Sequence, residues 1–398
     1  MTGPRPLAPA DFIAPGATLG VVGGGQLGRM FVQAAQRCGY LTAVLDADPT
    51  SPAGGVAQQH VRSGYLDAGG LAELSESCAA ITTEFENVPA AALRALAAGR
   101  RVAPSADSVA ICQDRAAEKR HFASSDVPCA PHVLIDSAQQ LGQVDDAFFP
   151  GILKTTRLGY DGKGQVHVAS RDELAGAWTA LQHAPSVLEK RLPLAFEISV
   201  IVARNAVGER VHLPVQQNLH RDGVLAVTQV PAPDLAPTLQ RQAVDAAMRL
   251  ATAMDYIGVL CVEFFVVDDG GPAGTLIANE MAPRPHNSGH YSVDACDLSQ
   301  FDLQLRCLTG APLAMPRLHS PAVMLNLLGD LWLRGGETPA EPPWREVLAL
   351  PGAQLHLYGK AEPRRGRKMG HLTVTAERSA TARAVALQAA ALLGLPAF

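Results

Sequence analysis

The chain has 398 residues, enough for two or three domains with sizeable cores. With 47% apolar and 18% charged residues it is not a disordered chain. A net charge of −5 and only 5% aromatics do not suit a protein that works on nucleic-acid backbones. Its seven cysteines (38, 78, 112, 129, 261, 296, 307) are scattered, with no Cys-x-x-Cys pair. Free thiols in a reducing cytoplasm are therefore expected, rather than a zinc site or a disulfide framework. No apolar run approaches the ~20 residues of a membrane span. These features predict a cytoplasmic enzyme of small-molecule substrates, with no nucleic-acid or membrane partner.

In chain order, residues 1–16 form a proline-rich stretch read as an extended arm. Leu19-Gly20-Val21-Val22 has the look of a buried parallel strand ending at Gly23-Gly24-Gly25. Leu27, Met30, Phe31, Ala34, Ala35 and Cys38 then recur at helical spacing. Strands follow at Leu41 to Asp46 and at Ile81-Thr82-Thr83, so residues 17–112 predict a doubly wound α/β domain. Over 113–318 short β-rich runs come in pairs: Gly151–Lys154 with Gln165–Ala169, Val187–Glu189 with Ile198–Ala203, and Val259–Val267 with Thr275–Met281. A helix is expected over Leu239–Met254. This pattern argues an α+β domain with antiparallel sheets. Residues 319–398, set off by proline-rich connections, predict a small C-terminal domain with strands near Val323–Leu328, Gln354–Tyr358 and His371–Thr375, then a closing helix.

Four patterns could carry chemistry. Gly23-x-Gly25-x-x-Gly28, followed by Asp46 at the end of the next strand, has dinucleotide-binding spacing. The same amides could instead seat a substrate phosphate, or the glycines could serve only close packing. The hairpin Val259–Val267 and Thr275–Glu280 turns near residue 271, so opposite residues sum to about 542 and Glu263 faces Asn279 or Glu280. If the sum is odd, Glu263 and Glu280 project from one face as a seat for Mg²⁺; the alternative is a salt bridge to a base such as Arg284. Lys154 closes a strand ahead of the glycine-rich Gly159-Tyr160-Asp161-Gly162-Lys163-Gly164-Gln165, a hairpin tip whose amides can approach phosphate oxygens but which is no Walker loop. Arg284-Pro285-His286-Asn287-Ser288-Gly289-His290 is a donor-rich loop suited to an anion; its prolines and glycine argue against zinc on His286 and His290. The basic run Arg364–Lys368, with Lys360, reads equally as a solvated face or a phosphate site.

These features in this order resemble the 5-(carboxyamino)imidazole ribonucleotide synthetases, ATP-grasp ligases of purine synthesis. The resemblance rests on GGGQLGRM (23–30), TEFENVP (83–89), QDR (113–115), GYDGKGQ (159–165), FEISV (196–200), NLHRDG (218–223), NEMAPRPHNSGH (279–290) and GRKMGH (366–371). It implies an N-terminal doubly wound domain, a two-lobed ATP-grasp domain, a small C-terminal β domain and a homodimer. It further implies ATP and Mg²⁺, with aminoimidazole ribonucleotide and bicarbonate as the other substrates. By that likeness Arg115, Lys154 and the loop Gly159–Gln165 attend the triphosphate. Glu189, Lys190, Arg191 and Leu192 hold adenine, Glu197 the ribose, and His220 lies nearby. Glu263 and Glu280 ligate the metal with Asn279 beside them, while Ala282 stands where many ATP-grasp ligases add an Asn ligand. Lys163, Arg284 and His286 would meet bicarbonate and carboxyphosphate. Gly25, Gln26, Leu27, Glu84, Lys360 and Arg367 would hold the ribonucleotide. The rival readings are a formate-dependent glycinamide ribonucleotide transformylase, an NAD-binding oxidoreductase resting on Gly23–Gly28 and Asp46, and a non-catalytic ribonucleotide-binding module.

Overall fold

A computed structural model describes residues 11–398 except 160–162, 269, 272–273 and 337. The N-terminal strands β1 (Thr18–Val22), β2 (Leu41–Leu45), β3 (Gln59–Val61), β4 (Ala80–Thr83) and β5 (Arg101–Val102) form a parallel sheet in the order β3-β2-β1-β4-β5. The chain leaves β1 toward β2 on one side and returns to β4 on the other. The switch point, where such sheets bind ligands, therefore lies at the C-terminal ends of β1 and β4. The helix Gln26–Arg37 buries Leu27, Met30, Phe31, Ala34 and Ala35, the face read from the spacing. Cys38 departs from that face: the helix ends at Arg37, and Cys38 turns outward as its exposed cap.

Residues 11–16 do not hang free. Ile13 is buried, its N–H donates to the Thr309 carbonyl at 2.8 Å, and its carbonyl accepts from Tyr40 Oη at 2.7 Å. The arm thus straps the first domain to the helix Gln300–Thr309.

A four-stranded antiparallel sheet follows, from β6 (His132–Ile135), β7 (Gly151–Thr155), β8 (Gln165–Val168) and β9 (Ser186–Lys190), ordered β6-β9-β7-β8. The expected pairing of Val187–Glu189 with Ile198–Ala203 does not occur. Both edges of β9 are already taken, by β6 and β7. The short link Arg191–Pro193 carries the chain into a different sheet.

That larger sheet is antiparallel throughout. It comprises β10 (Leu194–Arg204), β11 (Arg210–His212), β12 (Gln216–Arg221), β13 (Val224–Val230), β14 (Gly258–Val267), β15 (Thr275–Ala282), β16 (Ala322–Leu328), β17 (Ala353–Leu357) and β18 (Lys368–Thr375). Its order is β15-β14-β10-β12-β13-β16-β18-β17, with β11 on β10. The C-terminal strands are therefore not a sheet of their own: β16 pairs with β13 from Ala322 to Leu325 and extends the sheet of the central domain. On one face of β10 and β14, Ile198, Val200, Val202, Leu260, Val262 and Phe264 pack on the helix Pro237–Ala253 through Ala243, Ala247, Leu250 and Ala251. The alternate residues of these strands face the other way, and there the polar groups gather. All seven cysteines are free, and among the described residues no helix is long and apolar enough to cross a membrane.

Candidate active site

A single residue decides the hairpin register. From Thr275 to Ala278 the β14–β15 pairs sum to 542, as the turn dictates. A bulge between Glu263 and Phe264 then leaves Asn279 unpaired and raises the sum to 543, so Glu280 stands directly opposite Glu263. Residues directly opposite share a face, with Cβ atoms about 4.5–5.5 Å apart. The ladder continues across the sheet, with Ser199 of β10 opposite Glu263 and Gln216 of β12 opposite Ser199. Glu197, two residues before Ser199, joins the same face with its partner Asn218 and with His220.

Two carboxylates placed this way repel each other unless a cation joins them. Burial pushes the Glu263 carboxyl up to about 7, with His220 lowering it and the Glu280 charge raising it further. Burial also raises Glu280, but the Arg115 guanidinium at 3.1 Å outweighs it and holds that carboxyl below its usual range. Glu263 Oε1 and Asn279 Oδ1 are both buried with no hydrogen-bond partner among the described residues. Oxygen atoms stripped of water and left without donors are what a hard divalent cation requires, so the residues present fit Mg²⁺.

Around this pair the charges are strongly organised. Glu189 accepts from Lys154 Nζ at 2.9 Å and lies 3.2 Å from Lys119 Nζ. Two ammonium groups on one carboxylate leave this buried triad at a net +1. Lys119 also donates to the Asn279 carbonyl at 3.0 Å, tying the small sheet to the bulge. His220 Nδ1 lies 2.7 Å from Glu197 Oε2; burial opposes its charge, but the Glu197 hydrogen bond and the nearby Glu263 raise it to about 9. Arg284 is ion-paired with Glu86. Burial, then the Arg284 charge, keeps His286 neutral.

One cavity of about 1140 Å³ brings together twelve of the expected site residues. Its walls include Gly25, Gln26, Leu27 and Glu84 at the switch point, then Arg115, Gly159, Lys163, Glu280, Arg284 and His286. Lys360 and Arg367 line it from the β17–β18 connection and Lys368 from the start of β18, so the basic run is not only a solvated face. Lys154, Gly164, Gln165, Glu189, Lys190, Arg191, Leu192, Glu197, His220, Glu263 and Asn279 are not in its wall. Several of these lie on β7–β9 and along the ladder just described. Tyr160, Asp161 and Gly162 lie outside the described residues.

The glycine turn is occupied. Glu84 accepts from the Gly25 amide at 2.9 Å and the Gly28 amide at 3.2 Å, and Asp46 accepts from the Gly24 amide at 2.7 Å. A dinucleotide pyrophosphate would have to displace two carboxylates of its own sign, so the nicotinamide reading fails here. The glycines serve instead to admit Glu84. A Cβ on Gly25 would stand 2.7 Å from Glu84 Oε1, and one on Gly23 2.8 Å from its Cγ. Gly25→Ala is accordingly expected to cost about 1–3 kcal/mol by overpacking, read as a lower urea midpoint. In this first turn the Gln26 and Leu27 amides are taken by neither acid, and both residues line the cavity.

Asn287, of the donor-rich loop, lines the cavity with both amide atoms buried and unpartnered among the described residues. Glu86, Lys119 and Gln300, which the sequence reading did not single out, hold Arg284, Glu189 and His286 in place. Asp294, His356 and His371 also lie close together. However, the imidazoles of His356 and His371 stack at 4.5 Å and 10°, so their lone pairs run parallel instead of converging on an ion.

The chain matches three family profiles in succession. They are a ribonucleotide synthetase preATP-grasp domain over residues 16–113, an ATP-grasp domain over 120–301, and a phosphoribosylaminoimidazole carboxylase C-terminal domain over 322–385. The fold and its charged cleft are thus those of an ATP-grasp ligase. N5-carboxyaminoimidazole ribonucleotide synthase of Brucella melitensis is 44% identical over 91% of this chain and 97% of its own length. The Bacillus subtilis protein of the same name is 38% identical over 91% and 92%. A solved N5-carboxyaminoimidazole ribonucleotide synthetase in complex with ADP superposes with a TM-score of 0.88 at 37% identity, covering 95% of this chain and 97% of that one. An Aspergillus clavatus synthase bound to ADP and 5-aminoimidazole ribonucleotide has a TM-score of 0.85 at 30% identity, covering 95% and 98%. The chain belongs to the N5-carboxyaminoimidazole ribonucleotide synthase family.

Proposed function

We propose that this enzyme converts 5-aminoimidazole ribonucleotide, bicarbonate and ATP into N5-carboxyaminoimidazole ribonucleotide, ADP and phosphate, a step of purine biosynthesis. The observation that carries the reading is the single cavity that joins the Glu280 end of the carboxylate pair to the Gln26–Leu27 turn, Lys360 and Arg367. A phosphorylated ribonucleotide seated at that turn would reach toward the carboxylates with its base.

Bicarbonate is a poor electrophile. One of its oxygens attacks the γ-phosphorus of ATP and the bond to the β-phosphate oxygen breaks, releasing ADP and leaving carboxyphosphate. The exocyclic amine of the ribonucleotide then captures the carboxyl carbon, directly or as CO₂, and phosphate departs. Mg²⁺ held by Glu263 and Glu280 would offset charge on the triphosphate. Arg115 and the Lys119–Glu189–Lys154 triad supply fixed positive charge on the phosphate side. Arg284, oriented by Glu86, and the neutral His286 donate to the bicarbonate and carboxyphosphate oxygens. Lys163, which lines the cavity, would meet the triphosphate and the bicarbonate. Adenine on Glu189–Leu192, ribose on Glu197, work in the cytoplasm and a homodimeric state are carried as parts of the same proposal. The seven unpaired cysteines suit that compartment.

A formate-activating ligase would share the ATP site but not the small-molecule requirement. ADP release is expected to need both aminoimidazole ribonucleotide and bicarbonate. Formate supporting ADP release in place of bicarbonate would overturn the assignment.

A further inference from the structure

His286 is held at two points. Its N–H donates to Gln300 Oε1 and its carbonyl accepts from Gln300 Nε2, both at 2.8 Å, and Gln300 is fully buried. One amide side chain therefore fixes the backbone of the residue. The ring is fixed separately: Nδ1 accepts the Ser288 backbone N–H at 3.3 Å and lies 2.9 Å from Ser288 Oγ. A ring nitrogen that accepts from a main-chain N–H cannot carry a proton itself. The proton of the neutral ring is thus on Nε2, the nitrogen 3.8 Å from Glu263 Oε1.

The Ser288 hydroxyl is oriented by a chain that runs one way as far as its own proton, for which His286 Nδ1 and the Gln216 amide oxygen are the two acceptors. Thr228 Oγ1 donates to Asn218 Oδ1 at 3.0 Å, which turns the Asn218 Nδ2 toward Ser199 Oγ at 2.5 Å. An amide nitrogen only donates, so Ser199 must spend its own proton on Ser288 Oγ, 2.9 Å away. Ser288 then has its proton for an acceptor, and the His286 Nδ1 contact at 2.9 Å is shorter than the one to Gln216 at 3.2 Å, whose amide is turned by the Ser199 and Pro214 carbonyls. Thr228, Ser199 and Ser288 are fully buried and Asn218 nearly so; water therefore does not scramble the order.

We propose that Asn218, Ser199 and Ser288 are positioning residues that lock His286 as the Nε2–H tautomer, so that it meets the reacting anion as a hydrogen-bond donor and not as a base. The opposite tautomer would turn a lone pair toward bicarbonate and the transferring phosphoryl oxygens, replacing attraction with repulsion. The consequence for turnover rests on the bicarbonate reading above; the tautomer itself does not.

The test is two-bond ¹H–¹⁵N correlation on the full chain labelled with [¹⁵N]histidine, the His286 signals being assigned by their loss in His286→Gln. Without substrates, the protein is expected to show Nε2 protonated and Nδ1 bare. Asn218→Asp keeps the shape but removes the donor that sets the direction, so Nδ1–H should become populated in this variant. Its kcat should fall on the order of 10- to 100-fold while KM for ATP holds within about twofold, as for other lost partners of an oriented histidine. A wild-type protein protonated at Nδ1, or an Asn218→Asp variant with unchanged tautomer and unchanged kcat, would overturn the proposal.

Discussion

Glu263→Gln is expected to abolish ADP formation, lowering kcat by at least ~10³-fold, while leaving thermal unfolding nearly unchanged or slightly delayed. The size follows from what the residue does. Charge neutralisation on a transferring phosphoryl group is the main catalytic resource of such sites, and single electrostatic contacts there are worth about 10²–10³-fold or more. The variant is not expected to unfold, because Glu263 faces a like charge across the ladder and its Oε1 has no donor among the described residues. Removing one of two facing carboxylates relieves burial and repulsion at the same time as it gives up the attraction to His220. Steady-state ADP release and a thermal melt, run with and without Mg²⁺, check both halves. Turnover near the wild-type rate would remove Glu263 from the metal site.

The second large effect is on stability. Glu189→Gln would leave Lys119 and Lys154, with side chains only 1% and 9% exposed, as buried ammonium groups without their ion-pair partner. Breaking a buried ion pair from one side typically costs about 3–5 kcal/mol, and a loss of that size in urea unfolding is expected. Replacing all three together, as Lys119→Met, Lys154→Met and Glu189→Leu, should recover much of that stability while activity stays lost. A cost below ~1 kcal/mol for Glu189→Gln would show that the triad is solvated. The pH dependence has a definite sign. Burial opposes the charged form, but Lys154 and Lys119 hold the Glu189 carboxyl down to about 2, against 4.5 in the unfolded chain. The triad's contribution is therefore complete above the unfolded value and is lost as pH falls from there toward 2.

The strands and the two carboxylates were legible because the patterns that carry them are local. Alternation within β14, the turn near residue 271 and the glycines of 23–28 all act over a few residues. The register was left open between Asn279 and Glu280 since turn arithmetic cannot see a bulge; Asn279 supplies the odd residue only once Lys119 grips its carbonyl from another sheet. The glycine fingerprint left three readings open for a related reason. Its spacing reports close approach to the turn, but what approaches is Glu84, some sixty positions along the chain. Lys119 likewise looks like one charge among several on a solvated helix, and it is buried because the helix Arg115–Ser124 lies between two sheets. Gln300, Asn287 and Ser199 have no periodic signature at all: their roles are hydrogen bonds made after the chain is folded.

The account stands most directly on where the carbon of bicarbonate goes. With ATP, aminoimidazole ribonucleotide and [¹⁴C]bicarbonate, label is expected in an acid-labile carbamate of the ribonucleotide, in a one-to-one ratio with ADP. ADP accumulating in the presence of all three substrates with no label on the ribonucleotide would contradict it.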